Sequence, residues 1–114
     1  MGAPSAGSVV LLAFPFSDLS RSKLRPAVVL ASVGRGDFIL CQITSNAYAD
    51  AQAVALEASD FSEGSLQRTS YARPAKLFTA NETLFVRQVG CLREETRRQI
   101  VERITQVLIG GEAG

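Results

Sequence analysis

The stretch Lys23 to Asn46, KLRPAVVLASVGRGDFILCQITSN, leaves this chain few ways to fold. Its two apolar runs, Ala27 to Ala31 and Phe38 to Ile43, are rich in Val, Ile and Leu and too short for stable helices, so they read as buried strands. Between them Gly34-Arg35-Gly36-Asp37 supplies the positive-φ residues that a tight reversal needs. The expected product is an antiparallel hairpin. Residues equidistant from such a turn lie opposite each other, so Arg25 and Thr44, at the two outer ends, are expected at one edge of the sheet. A guanidinium and a hydroxyl meeting there suit a phosphate.

The rest of the chain reads as further short strands and one helix. Ser8 to Phe14, apolar throughout, is a first strand that Pro15 ends, because proline cannot donate to a ladder. Phe16 to Leu24 is a polar loop, and its place beside Arg25 suggests a flap. After the hairpin, Ala53 to Ala58 reads as a strand, Asp60 to Gly64 as a turn, and Leu66 to Phe78 as a strand kinked or bulged at Arg73 before Pro74. Ala80 to Thr83 is another turn and Leu84 to Val89 a last strand; several short strands at this spacing point to a small barrel. From Arg93 to Ile109 the period changes. Ile100, Ile104, Val107 and Leu108 share one helical face, Glu94 and Glu95 sit in the first turn where carboxylates suit the dipole, and Gly110-Gly111 stops the helix. The helix is expected to cover the barrel. Residues 1–7 read as a flexible leader, 8–109 as one domain and 110–114 as a flexible tail.

Composition narrows the function. A net charge of +1 gives no global field to steer nucleic acid, so anion binding must come from local placement. Of the 12 basic residues, all but Lys23 and Lys76 are Arg, whose planar fork suits bidentate phosphate contacts; a GC-rich coding sequence would also favour Arg. With no histidine and with scattered carboxylates, no metal-ligand spacing occurs, so no cofactor is expected. A serine hydrolase lacks its base, and no glycine-rich phosphate loop is present. Cys41 and Cys91 lie in apolar runs and read as free thiols. No signal peptide and no membrane-length apolar run is seen, so a cytoplasmic protein without a membrane partner is expected.

Five motifs in order, FPFSDL (Phe14 to Leu19), KLRP (Lys23 to Pro26), CQITSN (Cys41 to Asn46), SYARPAKLF (Ser70 to Phe78) and GCL (Gly90 to Leu92), make the chain resemble the MazF/PemK family of toxins from bacterial type II toxin-antitoxin modules. The resemblance spans about Gly7 to Ile109. It implies a mainly β fold with a C-terminal helix (α+β), a small SH3-like barrel of the CcdB/PemK/MazF type, acting as a homodimer. It further implies a metal-independent endoribonuclease that cleaves single-stranded RNA at short sequences and is inhibited by a cognate antitoxin. In that family the Arg of the R-P motif and the Thr of the I-T-S motif are the catalytic pair, which here fall on Arg25 and Thr44.

Such a reaction needs no protein nucleophile, since the RNA 2′-hydroxyl attacks the adjacent phosphorus. The protein must stabilise charge on the phosphorane, move two protons and align the attack. Arg25 supplies the charge, while Thr44 can bond a phosphate oxygen or hold the 2′-hydroxyl. Read from spacing alone, Arg25 could instead pair with Asp18 or Glu57 and Thr44 could cap a turn. Several family members carry an acid two residues after an Arg in the fourth motif; here Arg73 is followed at that place by Ala75, which leaves the general base unassigned. Phe16, Ser17, Lys23, Ser45, Asn46, Arg73 and Lys76 complete the expected RNA-binding set, with Tyr48 placed to read bases as well and Tyr71 evenly balanced between base reading and the core. Two other readings stay open: a catalytically inactive barrel that binds protein, and a CcdB-like gyrase poison, against which the absence of Trp counts.

Overall fold

The computed structural model describes residues 4–13, 23–46 and 50–111. Of the flap expected from Phe16 to Leu24 only Lys23 and Leu24 are described, Leu24 opening a strand; its other residues, with Phe16, Ser17 and Asp18, and also Phe14 and Tyr48, lie outside these residues. Seven antiparallel strands form one sheet: β1 (Ser8–Ala13), β2 (Leu24–Gly34), β3 (Asp37–Thr44), β4 (Val54–Leu56), β5 (Phe61–Gly64), β6 (Ser70–Asn81) and β7 (Phe85–Leu92), in the order β4-β6-β3-β2-β1-β7-β5. A C-terminal helix, α1 (Glu94–Gly110), follows. No helix among the described residues is long and apolar enough to cross a membrane.

The hairpin forms where its sequence places it. Gly34, Arg35 and Gly36 all take positive φ, and β2 pairs with β3 around them. Every central strand is buried on one face or the other, as expected of continuous Val, Ile and Leu runs. The sheet is rolled. Phe38 of β3 and Phe85 of β7 stand three strands apart in the order, about 14 Å in a flat sheet, yet their ring centroids are 5.8 Å apart. The concave side holds one core, with Val10, Leu12, Ala27, Val29, Leu40 and Phe78. The opposite side holds another, built on Val9, Val28, Cys41, Ile43 and Leu56 and covered by Ile100 and Ile104 of α1. The architecture is therefore a mostly β half-barrel with one C-terminal helix.

Three expectations change in detail. Phe61 to Gly64, read as a turn, is an edge strand paired with β7, and Phe61 is buried in the core while Ser62, Glu63 and Gly64 face solvent. The polar composition reflects that exposed edge. Gly64 lies at φ +64, where a Cβ would come within 2.2 Å of the Val89 carbonyl oxygen, so the strand can approach β7 only without a side chain. The helix buries Thr96, Ile100 and Ile104, but Leu108 is 69% exposed, so the apolar face continues beyond what the sheet covers. Within the segment read as a leader, the Gly7 N–H donates to the Val29 carbonyl and the Gly7 carbonyl accepts from the Leu92 N–H, at 2.7 and 2.8 Å. These bonds tie β2 to the end of β7 ahead of β1.

The β5–α1 corner is held by one carboxylate. Asp60 accepts from the Glu57 N–H at 2.8 Å and from the Thr96 hydroxyl at 2.9 Å. Its carbonyl takes the Arg93 N–H at 2.8 Å, which anchors the start of the helix. At the other end Gly111 adopts the left-handed conformation and donates to the Val107 carbonyl.

Candidate active site

A groove of about 580 Å³ opens at the outer ends of β2 and β3. Lys23, Arg25, Thr44 and Ser45 line it, together with Leu24, Pro26, Ile43, the Ser65 to Arg68 linker, Ser70, Arg87 and Val89. Strand alternation puts Leu24, Pro26 and Ile43 on the helix-covered side of the sheet, with Val28 and Cys41. Arg25 and Thr44 have the opposite parity, so they meet the groove at its rim.

The approach of Arg25 to Thr44 depends on irregular pairing. The ladder begins at the turn with Gly34 opposite Asp37, a register that carried straight outward would set Arg25 against Asn46. Two one-residue shifts, between Ser32 and Gly34 and between Val29 and Ala31, bring Ala27 opposite Gln42. Continued by two residues, this register sets Arg25 across from Thr44. Equal distance from the turn, on which the expectation of this pair rests, is therefore not what brings the two together; the shifts supply the approach.

Thr44 ends its strand in a tight local turn. Its Oγ1 accepts from the Asn46 N–H at 3.1 Å and donates to the Asn46 carbonyl at 3.2 Å, which fixes the rotamer. Arg25 is exposed and has no ion-pair partner among the described residues, Glu57 included. No Asp or Glu among the described residues lines the groove. Among the described residues no three His, Cys, Asp or Glu side chains gather as metal ligands.

Arg73 and Lys76 are placed differently. Neither lines the groove. Arg73 Nε donates to Asp50 Oδ2 at 2.9 Å, and the other oxygen of Asp50 accepts from the Gln52 N–H at 3.0 Å. This pair closes the β3–β4 connection onto β6. The expected bulge is present, because β6 shifts register against β3 between Ala72 and Leu77. In this irregular segment the Arg73 carbonyl accepts from the Cys41 thiol at 3.0 Å. Burial pushes that thiol up to about 12 from its ordinary 9.0. Lys76 and Ala75 are exposed on β6. Tyr71, half-buried, lies opposite Thr44 on β6. Asn46 is exposed beside Ser45.

The groove also contains cations that the sequence reading passed over, Arg68 and Arg87. Arg87 carried a usable signal, a lone charge within the apolar strand LFVRQVG. Arg68 falls in the part of Leu66 to Phe78 read as strand that is instead a linker, since the strand begins only at Ser70. Taken together the groove offers positive charge, hydroxyls and an apolar floor, which can bind a phosphodiester and the faces of bases.

No curated protein sequence matches the chain. Solved structures do. The fold is similar to MazF from Deinococcus radiodurans, with a TM-score of 0.74 and 20% identity, over 95% of this chain and 98% of that one. An endoribonuclease from a mycobacterial species, solved in complex with its cognate antitoxin, is similar at a TM-score of 0.69 and 19% identity over 95% of each chain. The Mycobacterium tuberculosis toxin MazF-mt6 is similar at a TM-score of 0.69 and 17% identity, over 90% of this chain and 96% of that one. The family model for PemK-like, MazF-like toxins of type II toxin-antitoxin systems matches residues 5–108, and the chain belongs to that family.

Proposed function

We propose that this toxin is a metal-independent endoribonuclease that cleaves single-stranded RNA by attack of the 2′-hydroxyl on the adjacent phosphorus. The observation that carries the reading is the meeting of Arg25 and Thr44 in the lining of one groove that, among the described residues, holds four cations and no carboxylate. The 2′-oxygen forms a bond to phosphorus, the bond to the 5′-oxygen breaks, and the products are a 2′,3′-cyclic phosphate and a 5′-hydroxyl. Arg25 neutralises the charge that develops on the non-bridging oxygens. Thr44 turns its hydroxyl from the Asn46 carbonyl to a phosphate oxygen and holds the phosphate in line.

No imidazole exists in the chain, and no carboxylate lines the groove among the described residues. The proton of the 2′-hydroxyl therefore leaves to solvent, and the departing 5′-oxygen is protonated from solvent. The rate should rise with pH through the neutral range, without the plateau that a histidine base of pKa about 6.5 would impose. Initial rates between mildly acidic and mildly alkaline pH check this.

Family membership supports a homodimer whose groove crosses the subunit interface, and a cognate antitoxin that places an acidic segment in the same groove. The protein works in the cytoplasm, where its RNA substrate is. The test is cleavage of a long RNA by purified toxin in EDTA, with fragment ends mapped. Discrete cuts ending in 2′,3′-cyclic phosphate support the reading. No cleavage by a folded, antitoxin-free protein over a broad RNA panel would make the barrel a binding module instead.

A further inference from the structure

We propose that Arg68 and Arg87 form a second phosphate subsite, which holds the RNA backbone beside the phosphate engaged by Arg25 and Thr44. The inference rests on the ribonuclease reading for its ligand and adds the residues that grip the strand away from the cleaved bond.

The first support is how the chain distributes its arginines. Several outside the groove are tied down, Arg73 to Asp50 at 2.9 Å, Arg97 to Glu94 at 2.6 Å and Arg93 to the Ser59 carbonyl at 2.8 Å, while Arg35 and Arg98 have no ion pair among the described residues and stand apart from the groove. Arg68 and Arg87 are exposed, have no ion pair among the described residues and share the groove with Lys23 and Arg25. The chain has nearly as many acidic as basic residues, 11 against 12, yet among the described residues no Asp or Glu lines this groove. Like charges gathered without counterions repel each other, and a polyanion relieves that repulsion.

The second support is placement. Arg87 lies on β7 opposite Leu11, and Leu11 is opposite Pro26 on β2, so Arg87 and Arg25 flank β1 near the same end of the sheet. Arg68 precedes β6, and its carbonyl accepts from the hydroxyl of buried Ser70 at 3.1 Å, which fixes the backbone from which its side chain extends. Two guanidiniums on anchored backbone, in a groove whose apolar floor suits base faces, match a strand with repeating phosphates.

The test uses a fluorescent, mixed-sequence 2′-O-methyl RNA of about 12 nucleotides, within the range of footprints of single-strand grooves. It lacks the nucleophile and is not cut. Binding to the full-length toxin is measured by anisotropy from about 50 to about 200 mM KCl. Arg68→Gln and Arg87→Gln are each expected to weaken binding about five-fold and to flatten the log–log salt slope by about 0.7, the value for one phosphate contact on a single strand. Arg87→Lys should restore the slope. Arg98→Gln, on the exposed side of α1 and outside the groove, should leave affinity and slope unchanged. Thermal melts verify folding of each variant.

Unchanged slopes in both groove variants would overturn the proposal, as would an equal loss in Arg98→Gln, which would reduce the effect to net charge. Loss of binding to a polyglutamate peptide with RNA binding intact would assign the two arginines to a protein partner and would also overturn it. If the wild type cleaves no RNA while the slopes still change, the ribonuclease reading fails and the subsite stands. If the wild type cleaves and the slopes do not change, the subsite alone fails.

Discussion

Arg25 and Arg73 approach β3 from opposite sides, yet their surroundings differ in kind. At the rim of the groove Arg25 shares the lining with a hydroxyl and other cations, with no acid among the described lining residues. At the β3–β4 connection Arg73 is locked to Asp50, a carboxylate whose side chain is only 11% exposed and which also caps the local turn. The second arrangement satisfies the fold by itself. The first leaves charge uncompensated, which costs stability and suits a ligand that supplies the missing negative charge. An arginine in a family motif is thus not by that fact a site residue; what its guanidinium already holds decides whether it is available.

Four substitutions can break or sharpen this contrast. The largest effect is expected from Arg25→Ala, a loss of about 10²–10³ in cleavage rate, or about 2.7–4 kcal/mol of transition-state stabilisation, with the melting temperature unchanged or slightly raised. Single-turnover kinetics alongside thermal denaturation separate the two. Thr44→Val, which keeps the shape and removes the hydroxyl, should cost about 1.5–3 kcal/mol in the same assay, the range for a hydrogen bond to a charged group. Arg73→Ala should act on stability instead. Leaving Asp50 without its partner is expected to cost about 1–2 kcal/mol in urea titrations, less than for a fully buried pair because Arg73 is one-third exposed.

The smallest effect concerns the thiol beneath Arg73. Cys41 is held protonated by burial, with its value raised from 9.0 to about 12. The unfolded chain releases that proton near 9, so the thiol's contribution to stability is fully present below that pH and is lost as pH rises toward 12. Cys41→Ala should flatten the alkaline decline of the melting temperature. In the native protein at mildly alkaline pH, a thiol reagent should modify half-buried Cys91 ahead of buried Cys41.

The hairpin was legible in the sequence because apolar β-branched runs around a glycine-rich turn admit few other structures. The helix was legible through its period, and the bulge at Arg73 through Pro74. Less legible were the features that depend on tertiary packing. The edge strand Phe61–Gly64 has a turn's composition, and only its contact with β7 makes it a strand. The two register shifts that set Arg25 across from Thr44 leave no trace in residue type. Arg68 and Arg87 join the groove because the sheet rolls and a linker crosses its end, and no local pattern announces either. The acid at Asp50 that occupies Arg73 lies 23 residues away in sequence, beyond any spacing rule.

The most direct test of the contrast is cleavage per folded molecule, measured for Arg25→Ala and Arg73→Ala at one temperature and corrected by each variant's own unfolding curve. The account predicts that Arg25→Ala loses about a hundredfold or more while Arg73→Ala, once corrected, stays near the wild type. A corrected loss in Arg73→Ala as large as that in Arg25→Ala would contradict it, and would place the paired arginine in the reaction.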